Sequence, residues 1–419
     1  MNRPQRIGFA VVGAMAALSG CAPSADAPAS ATPPPGNDRI DRLRALPYAG
    51  DVENPDDTPG GVVRMDPARS SPGYNLYSVQ MLGLAELIDA RGNLVRRWQY
   101  GDHDRWENCE LLPDGGLLVV GATSGHKQPR ADSPPPPVRG IADDARYLLR
   151  LDRDNKLVWK RRLHAHHDVE LTPAGQILVL TFERVRVAKI HPTVPVRDDH
   201  LTLLDADGNV VASHSMLQAV NSSPAVFPLH GVRVTALGIK PWVDVFHANS
   251  IEWMRRPDLV SRNPIYGLDN ILVCFRHQDR IAVFNWPHNR VLWTWGTGEL
   301  SGPHDAHVLD NGNILLFDNG LARGWSRAVE MNPASGDIVW QYKSDPPRDF
   351  FSRSKGSVQR LPNGNTLMAE SDKGRAIEVT PAGEIVWEFF CPHETVAGRR
   401  AAIVRMKRYP RRAVADLLK

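Results

Sequence analysis

Two short phrases alternate along the chain, and together they leave little choice of fold. The first is a turn residue, a β-branched or apolar pair, and then usually tryptophan. It reads RGNLVRRW ending at Trp98, DNKLVWK with Trp159, DGNVVAS around Val210, HNRVLWTW with Trp293, SGDIVWQY with Trp340 and AGEIVWEF with Trp387. Taking Gly92, Asn155, Gly208, Asn289, Gly336 and Gly383 as the shared turn position, the copies are spaced by 47 to 81 residues. The third copy has Ala212 where Trp belongs, and the first displaces its Trp to Trp98. The second phrase is a strand, a tight turn of Pro, Asp, Asn and Gly, and a strongly β-prone apolar strand: ELLPDGGLLVV, ELTPAGQILVL, GLDNILVCF, HVLDNGNILLF and QRLPNGNTLMA. Two hairpins per repeat make four strands, and a four-stranded unit with a period of about 40 to 50 residues is the pattern of a propeller blade. The expected fold is all-β, a six-bladed β-propeller with four-stranded blades.

Composition agrees: 33 Gly and 34 Pro supply turns along the whole chain, which suits many short strands. With 50 Lys plus Arg against 47 Asp plus Glu, the formal charge of +3 is too small and too evenly spread for a phosphate-tracking protein, so no nucleic-acid partner is expected. The chain opens with MNRPQR, the apolar run IGFAVVGAMAAL and SGC, which reads as an export signal. Residues 7–18 are too short an apolar run for a bilayer of about 30 Å, which takes about 20 residues. Leu18, Ser19, Gly20 and Cys21 resemble the lipobox of bacterial lipoproteins; a plain secreted protein with a cysteine in its signal is the other reading. The expected organisation is a lipoprotein signal at 1–21 with lipidation on Cys21, a Pro/Ala-rich tether at 22–46, the propeller at 47–410 and a basic C-terminal tail at 411–419. Such a protein would be anchored by lipid to the bacterial cell envelope, facing the periplasm. Cys109, Cys274 and Cys391 are odd in number, so at least one thiol stays unpaired, and Cys109 and Cys274 read as small buried side chains in strands.

The length beyond the repeats falls in three loops, 122–145, 183–199 and 216–244, expected to wall a pocket on one face. In a propeller, equal positions on inner strands form a ring around the central channel. Eight residues before the hairpin glycine stand Glu107, His167, His304 and Gly356, and the apolar strand aligns Asn249 with them, two residues after His247. The ring is polar and rich in histidine. Arg276 lies on the strand that follows His247, and an arginine beside neutral imidazoles suits a sulfuryl or phosphoryl anion through its forked donors. Three histidines can also hold a metal, but a neighbouring arginine repels a divalent ion, and no metal or cofactor is expected. No GxSxG, GxxxxGK[ST] or strand-linked GxGxxG occurs to support serine hydrolase, P-loop or Rossmann chemistry.

Over residues 73–409 these features resemble the bacterial arylsulfate sulfotransferases, whose fold is a six-bladed propeller. The resemblance rests on GYNLYSVQMLGLAELIDARGNLVRRW, HHD at 166–168, HANSIEW at His247, FRHQD at Arg276, HDAHVLDNGNILLFDNG at His304 and the closing AIVRMKRYP. It implies transfer of a sulfuryl group from a phenolic sulfate ester to a phenolic acceptor without a nucleotide donor, in two steps through a sulfohistidine. His304 matches the family's nucleophile, and His167, His247, Asn249 and Arg276 match its sulfuryl-binding set, with His167 or His247 expected to protonate the departing phenolate and deprotonate the incoming phenol. His166 and Asn319 are carried over as substrate-binding residues. A non-catalytic propeller lipoprotein that binds or scaffolds envelope partners is the alternative, because fold alone does not confer function. A quinone-cofactor dehydrogenase would call for more blades and an acidic metal site.

Overall fold

The computed structural model describes residues 51–53, 58–101, 104–123, 145–230, 234–235, 242–396 and 398–418. The signal, the tether, Cys21 and the Pro-rich part of the first loop lie outside them. Each pair of sequence phrases becomes one antiparallel sheet, and six such sheets stand around a channel as a propeller. Blade 2 is typical: Asp104–Leu111, Leu117–Thr123, Arg146–Leu151 and Leu157–Arg161 pair in chain order from the channel outward. Blades 4, 5 and 6 begin at Ala248–Trp253, His304–Val308 and Ser357–Arg360 in the same way. Blade 1 is closed from the far end of the chain, since its inner strand, Ile403–Tyr409, pairs with Tyr74–Val79. Gly61–Met65 in turn adds to the outer edge of blade 6 by pairing with Ile385–Phe390. The two ends of the chain therefore lock neighbouring blades, which removes the open seam that a linear array of sheets would leave.

Every blade carries a bulge at the same place between its third and fourth strands, from Leu87/Ile88 in blade 1 to Glu378/Val379 in blade 6. One extra residue there increases local twist, which lets each sheet follow the propeller's pitch. The core is divided among the blade interfaces. Leu118, Val120 and Leu148 of blade 2 pack on Val169, Ile177 and Val179 of blade 3, and Leu315 and Phe317 of blade 5 pack on Val358, Met368 and Ile377 of blade 6. Each such side chain contributes about 1.5–3 kcal/mol on burial. The alternation of apolar residues on both faces of the middle strands follows from this, because each blade is covered on two sides.

The repeated tryptophans stitch one blade to the next. Trp159 Nε1 donates to Ala206 O at 3.1 Å, Trp340 Nε1 to Pro381 O at 2.9 Å, and Trp387 Nε1 to Ala90 O at 2.8 Å, each acceptor lying in the outer turn of the following blade. In blade 4 the donor is Trp295, to Gly336 O at 3.0 Å, while Trp293 holds the register position opposite Val283. Blade 3, which lacks the Trp, uses its extra length instead. A helix at Met216–Asn221, capped by Ser215, brings up Ser223 and Val226, which accept from Val291 N at 3.2 Å and Thr294 Oγ1 at 2.9 Å.

Two expectations about the loops are corrected. Residues 183–199 include the ends of the hairpin Ile177–Val185 and Val196–Leu204, where Glu183, Arg184 and Val185 pair with Asp198, Arg197 and Val196. Residues 216–244 contain that helix and a strand, Trp242–Asp244, running parallel to Val196–Leu204. In the basic segment after Tyr409, Arg411–Leu417 is a 3-10 helix, with Val414 only 1% exposed in the apolar cluster of blades 1 and 2. All three described cysteines are free thiols, and burial raises the pKa of each. Among the described residues no helix is long and apolar enough to cross a membrane.

Candidate active site

Inside the channel four successive inner strands, from blade 3 round to blade 6, each tie to the next through a side chain that accepts a backbone N–H. Asp168 Oδ2 accepts from Ile251 N at 2.9 Å, Ser250 Oγ from Ala306 N at 3.1 Å, Asp305 Oδ2 from Val358 N at 2.8 Å and Ser357 Oγ from Met406 N at 3.2 Å. The inner strands are thereby fixed in one register. The residue before each of these anchors faces a common pocket: His167, Asn249, His304 and Gly356 line it together with Glu107, Gln80, Lys355, Val404 and Arg405. The four residues found by counting back from the hairpin turns meet there with Asn249, which the apolar strand aligned with them.

Local backbone geometry aims these side chains. Four of the six described non-glycine residues with positive φ are His167 at 57°, His247 at 49°, Asp279 at 49° and Asp305 at 55°. Left-handed conformations are costly outside glycine and gather where a site demands them. Asp279 spends its strain on the His304 loop, where its Oδ1 accepts from Gly302 N at 2.7 Å.

His304 has a defined tautomer. Its Nδ1 lies 2.7 Å from Asn319 Oδ1 and 3.1 Å from Gly302 O. Asn319 Nδ2 donates to Ser352 O and Lys355 O, both at 2.7 Å, so its oxygen must face the histidine. Both neighbours of Nδ1 are acceptors; Nδ1 carries the proton and Nε2 carries the lone pair. Burial first, and then Arg276, pull the His304 pKa down to about 3, so the ring is neutral at physiological pH.

Burial likewise holds the pKa of His166, His167 and His247 well below the ordinary value. His166 is fully buried behind His167, its Nδ1 2.8 Å from His167 Nδ1 and its Nε2 3.2 Å from Thr181 O. It therefore orients His167 and does not reach the pocket. Asn319 is likewise 0% exposed and outside the pocket lining, where it supports His304. His247 sits beside the pocket with its ring edge-on to His167 at 4.8 Å, and Asp244 Oδ2 accepts from its Nδ1 at 2.6 Å. Arg276, 1% exposed, donates from Nη1 to His277 Nε2 at 3.1 Å, behind the His304 loop.

Three participants escaped the sequence reading. Arg405 forms the pocket floor, donating to Asp168 Oδ1 at 2.8 Å and Asn249 O at 2.9 Å, with its Nε 3.4 Å from Asp305 Oδ1. No hairpin turn follows the strand that carries it, Ile403–Tyr409, which leads into the 3-10 helix Arg411–Leu417, so counting back from a turn glycine could not place it. Lys355 adjoins Gly356, which the count did find, and its Nζ lies 3.6 Å from Asp372 Oδ1. Asp244 stands three residues before His247, a spacing that a search for histidine-supporting carboxylates would have caught.

Asp244, His247 and His277 offer donor atoms within 4.8 Å of one another, the reach of a metal site. Hydrogen bonding fits a relay instead: Arg276 can only donate, so His277 Nε2 accepts and its Nδ1 donates to Asp244 O at 2.9 Å. At the opposite mouth of the channel the charges are neutralised in pairs, Glu110 with Lys407 at 2.9 Å, Glu170 with Arg255 at 3.3 Å and Glu252 with His307 at 3.6 Å. The histidine-lined mouth thus combines neutral imidazoles with nearby fixed cations, a combination that suits an anion.

Solved structures similar to this chain include a protein of unknown function from Bacteroides caccae, 14% identical, with 76% of this chain and 94% of that chain covered and a TM-score of 0.48. Virginiamycin B lyase from Staphylococcus aureus is 11% identical over 85% of this chain and 98% of that chain, with a TM-score of 0.43. Likeness at this level carries no argument about function. No curated protein matches the chain. Residues 147–391 match the family Arylsulfotransferase (ASST), a span that holds more than half of the sequence and includes His167, His247, Asn249, Arg276, His304 and Asn319. On that match, the chain belongs to the arylsulfotransferase family.

Proposed function

We propose that the protein moves a sulfuryl group from an aryl sulfate ester to a phenolic acceptor by double displacement, with His304 Nε2 as the nucleophile and no nucleotide donor. The observation that carries this reading is the pinned tautomer of His304: a neutral imidazole with its lone pair on Nε2, on a side chain lining a pocket with Arg405 and Lys355. In the first step Nε2 bonds to sulfur as the sulfur–oxygen bond to the aryl group breaks, and the departing phenolate takes a proton. In the second, the acceptor oxygen bonds to sulfur, the nitrogen–sulfur bond breaks, and the acceptor's proton is removed. Splitting one displacement in two is the logic of nucleophilic catalysis.

Arg405, Lys355 and Arg276 supply positive charge around the place where the sulfuryl oxygens gain electron density. His167 and Asn249 offer neutral polar contacts from adjoining blades. Loss of one preorganised donor of this kind costs about 2.7–4 kcal/mol of transition-state stabilisation. A proton-exchanging histidine adds about 10²- to 10⁴-fold. Export and lipid attachment at Cys21 belong to the same proposal and place the reaction at the cell envelope.

The test is release of 4-nitrophenolate from 4-nitrophenyl sulfate by the purified protein, with and without phenol and without any added nucleotide. Turnover that requires phenol and yields phenyl sulfate is the expected result. Absence of turnover across a panel of phenols would return the propeller to the class of envelope binding proteins.

A further inference from the structure

One side chain crosses the channel. Below the histidine-lined pocket lies a second space of about 900 Å³, lined among others by Arg255, His307, Gln359 and Lys407. It opens to solvent at the other mouth, where the Arg255 and Lys407 side chains are 40% and 48% exposed. Arg405 lines both spaces, and among the described residues it is the one they share. We propose that Arg405 is a plug that closes the sulfuryl pocket against this lower cavity, so that the sulfuryl group on His304 is handed to a phenol and not to water. This rests on the sulfuryl-transfer reading above and assigns the residue that selects the acceptor.

The geometry is that of a bar across the channel. Arg405 leaves Ile403–Tyr409, the inner strand of blade 1, and all three of its guanidinium nitrogens end on blades further round the ring. Nη1 donates to Asp168 Oδ1 of blade 3 at 2.8 Å, Nη2 donates to Asn249 O of blade 4 at 2.9 Å, and Nε lies 3.4 Å from Asp305 Oδ1 of blade 5. The two remaining blades hold those partners in place. Asn108 Nδ2 of blade 2 donates to Asp168 Oδ1 at 2.7 Å, and Asp305 Oδ2 accepts from Val358 N of blade 6 at 2.8 Å. Six blades thus meet through one side chain. The planar fork suits this task because its donors diverge in fixed directions. A lysine would carry the charge but could not engage three blades at once. Burial disfavours a charge at this depth, yet Asp168 and Asp305 outweigh burial and raise the Arg405 pKa, so the bar stays charged and its bonds charge-assisted.

The chemistry gives such a bar a purpose. A sulfuryl group on imidazole is an activated donor, and water is the acceptor present in greatest excess. Were water to reach it, the water oxygen would bond to sulfur and the bond from His304 Nε2 to sulfur would break, both electrons returning to nitrogen. Sulfate would leave and two protons would pass to solvent, wasting the group captured in the first step. Keeping water from a reactive intermediate is a general use of a closed site. Arg405 does so from below, while the phenol enters through the histidine-lined mouth.

The test reads where the sulfuryl group goes. Wild type and Arg405→Lys turn over 4-nitrophenyl sulfate at one fixed phenol concentration, and sulfate and phenyl sulfate are separated and counted. Wild type should yield almost only phenyl sulfate. In Arg405→Lys, which keeps the charge balance with Asp168 and Asp305, the ratio of sulfate to phenyl sulfate should rise at least about tenfold, whatever the total rate. Arg405→Ala should raise it further, and added methylguanidinium should bring it back. A second arm leaves Arg405 in place and blocks the lower mouth with a bulky thiol adduct on Lys407→Cys, with wild type treated in parallel because Cys109 lines the same cavity. Turnover and products should be unchanged by the adduct, whereas in Arg405→Lys/Lys407→Cys it should cut the share of sulfate. An unchanged product ratio in Arg405→Lys, with thermal unfolding like that of wild type, would overturn the plug and leave Arg405 as a charge alone. So would abundant sulfate from wild type, or turnover lost on blocking the lower mouth while Arg405 is present. No phenolate release by wild type with any phenol would instead refute the sulfuryl-transfer reading itself.

Discussion

His304 depends on a fully buried neighbour. Asn319 Oδ1 fixes the proton on Nδ1, and the two other bonds of Asn319 fix Asn319. Replacing Asn319 by Ala leaves the buried Nδ1–H only its longer contact to Gly302 O at 3.1 Å, a loss of about 1–3 kcal/mol. Expressed as rate this is a loss of about 5- to 150-fold in kcat, with His304 still able to take up sulfuryl; unchanged kcat would remove Asn319 from this role. Burial of neutral histidines also has a consequence for stability. The folded pKa of His304, about 3, lies below the ordinary value of 6.5, so the unfolded chain binds the proton more readily. Stability from this source is complete above about pH 6.5 and is lost as pH falls toward 3. His166, His167 and His247 shift in the same direction. Urea midpoints should accordingly fall between pH 7 and pH 5, with a smaller drop in His304→Gln. At this scale the sequence was informative wherever a hairpin turn set the count, as for His167 and His304. It was silent on orientation: nothing in FDNG says that Asn319 points its oxygen at Nδ1 while being sealed from the pocket.

Elements explain why the repeat looks degenerate. The tryptophan phrase is conserved in form where an indole N–H ties one blade to the outer turn of the next, and it lapses where another device does that work. Ala212 in blade 3 was a visible gap, but its replacement, the six-residue helix Met216–Asn221 with Ser223 and Val226 beyond it, is too short to leave a periodic signal. The exchange of Trp293 for Trp295 was equally hidden, because both residues fit an alternating strand. Converting Trp340 to Phe keeps an aromatic ring and deletes only the bond to Pro381 O. It should lower unfolding free energy by about 0.5–1.5 kcal/mol, measured by urea denaturation, while turnover of aryl sulfate is retained. A loss of activity without loss of stability would mean that the outer strands shape the pocket more directly than the geometry indicates.

At the scale of the whole molecule, closure and chemistry share the same strand. Ile403–Tyr409 completes blade 1 and delivers Arg405 to the centre, where it joins Asp168 of blade 3, Asn249 of blade 4 and Asp305 of blade 5. The repeat predicted six blades, but it did not show that the inner strand of blade 1 comes from the opposite end of the chain. Long-range pairing of this kind has no local signature, and that is why the floor of the pocket was missed while its walls were found. The channel then offers two unlike mouths, one with paired charges and one with neutral histidines near buried cations, and the second is where sulfuryl transfer is placed. The most direct measurement is rapid mixing of the protein with an aryl sulfate in the absence of any acceptor, followed by acid-free digestion and peptide mass analysis. Covalent transfer through His304 predicts one equivalent of phenolate released and one sulfuryl group on the peptide that carries His304, discharged on adding phenol and absent in His304→Ala. Turnover by wild type and His304→Ala at similar rates, or a sulfuryl group on any other residue, would contradict it.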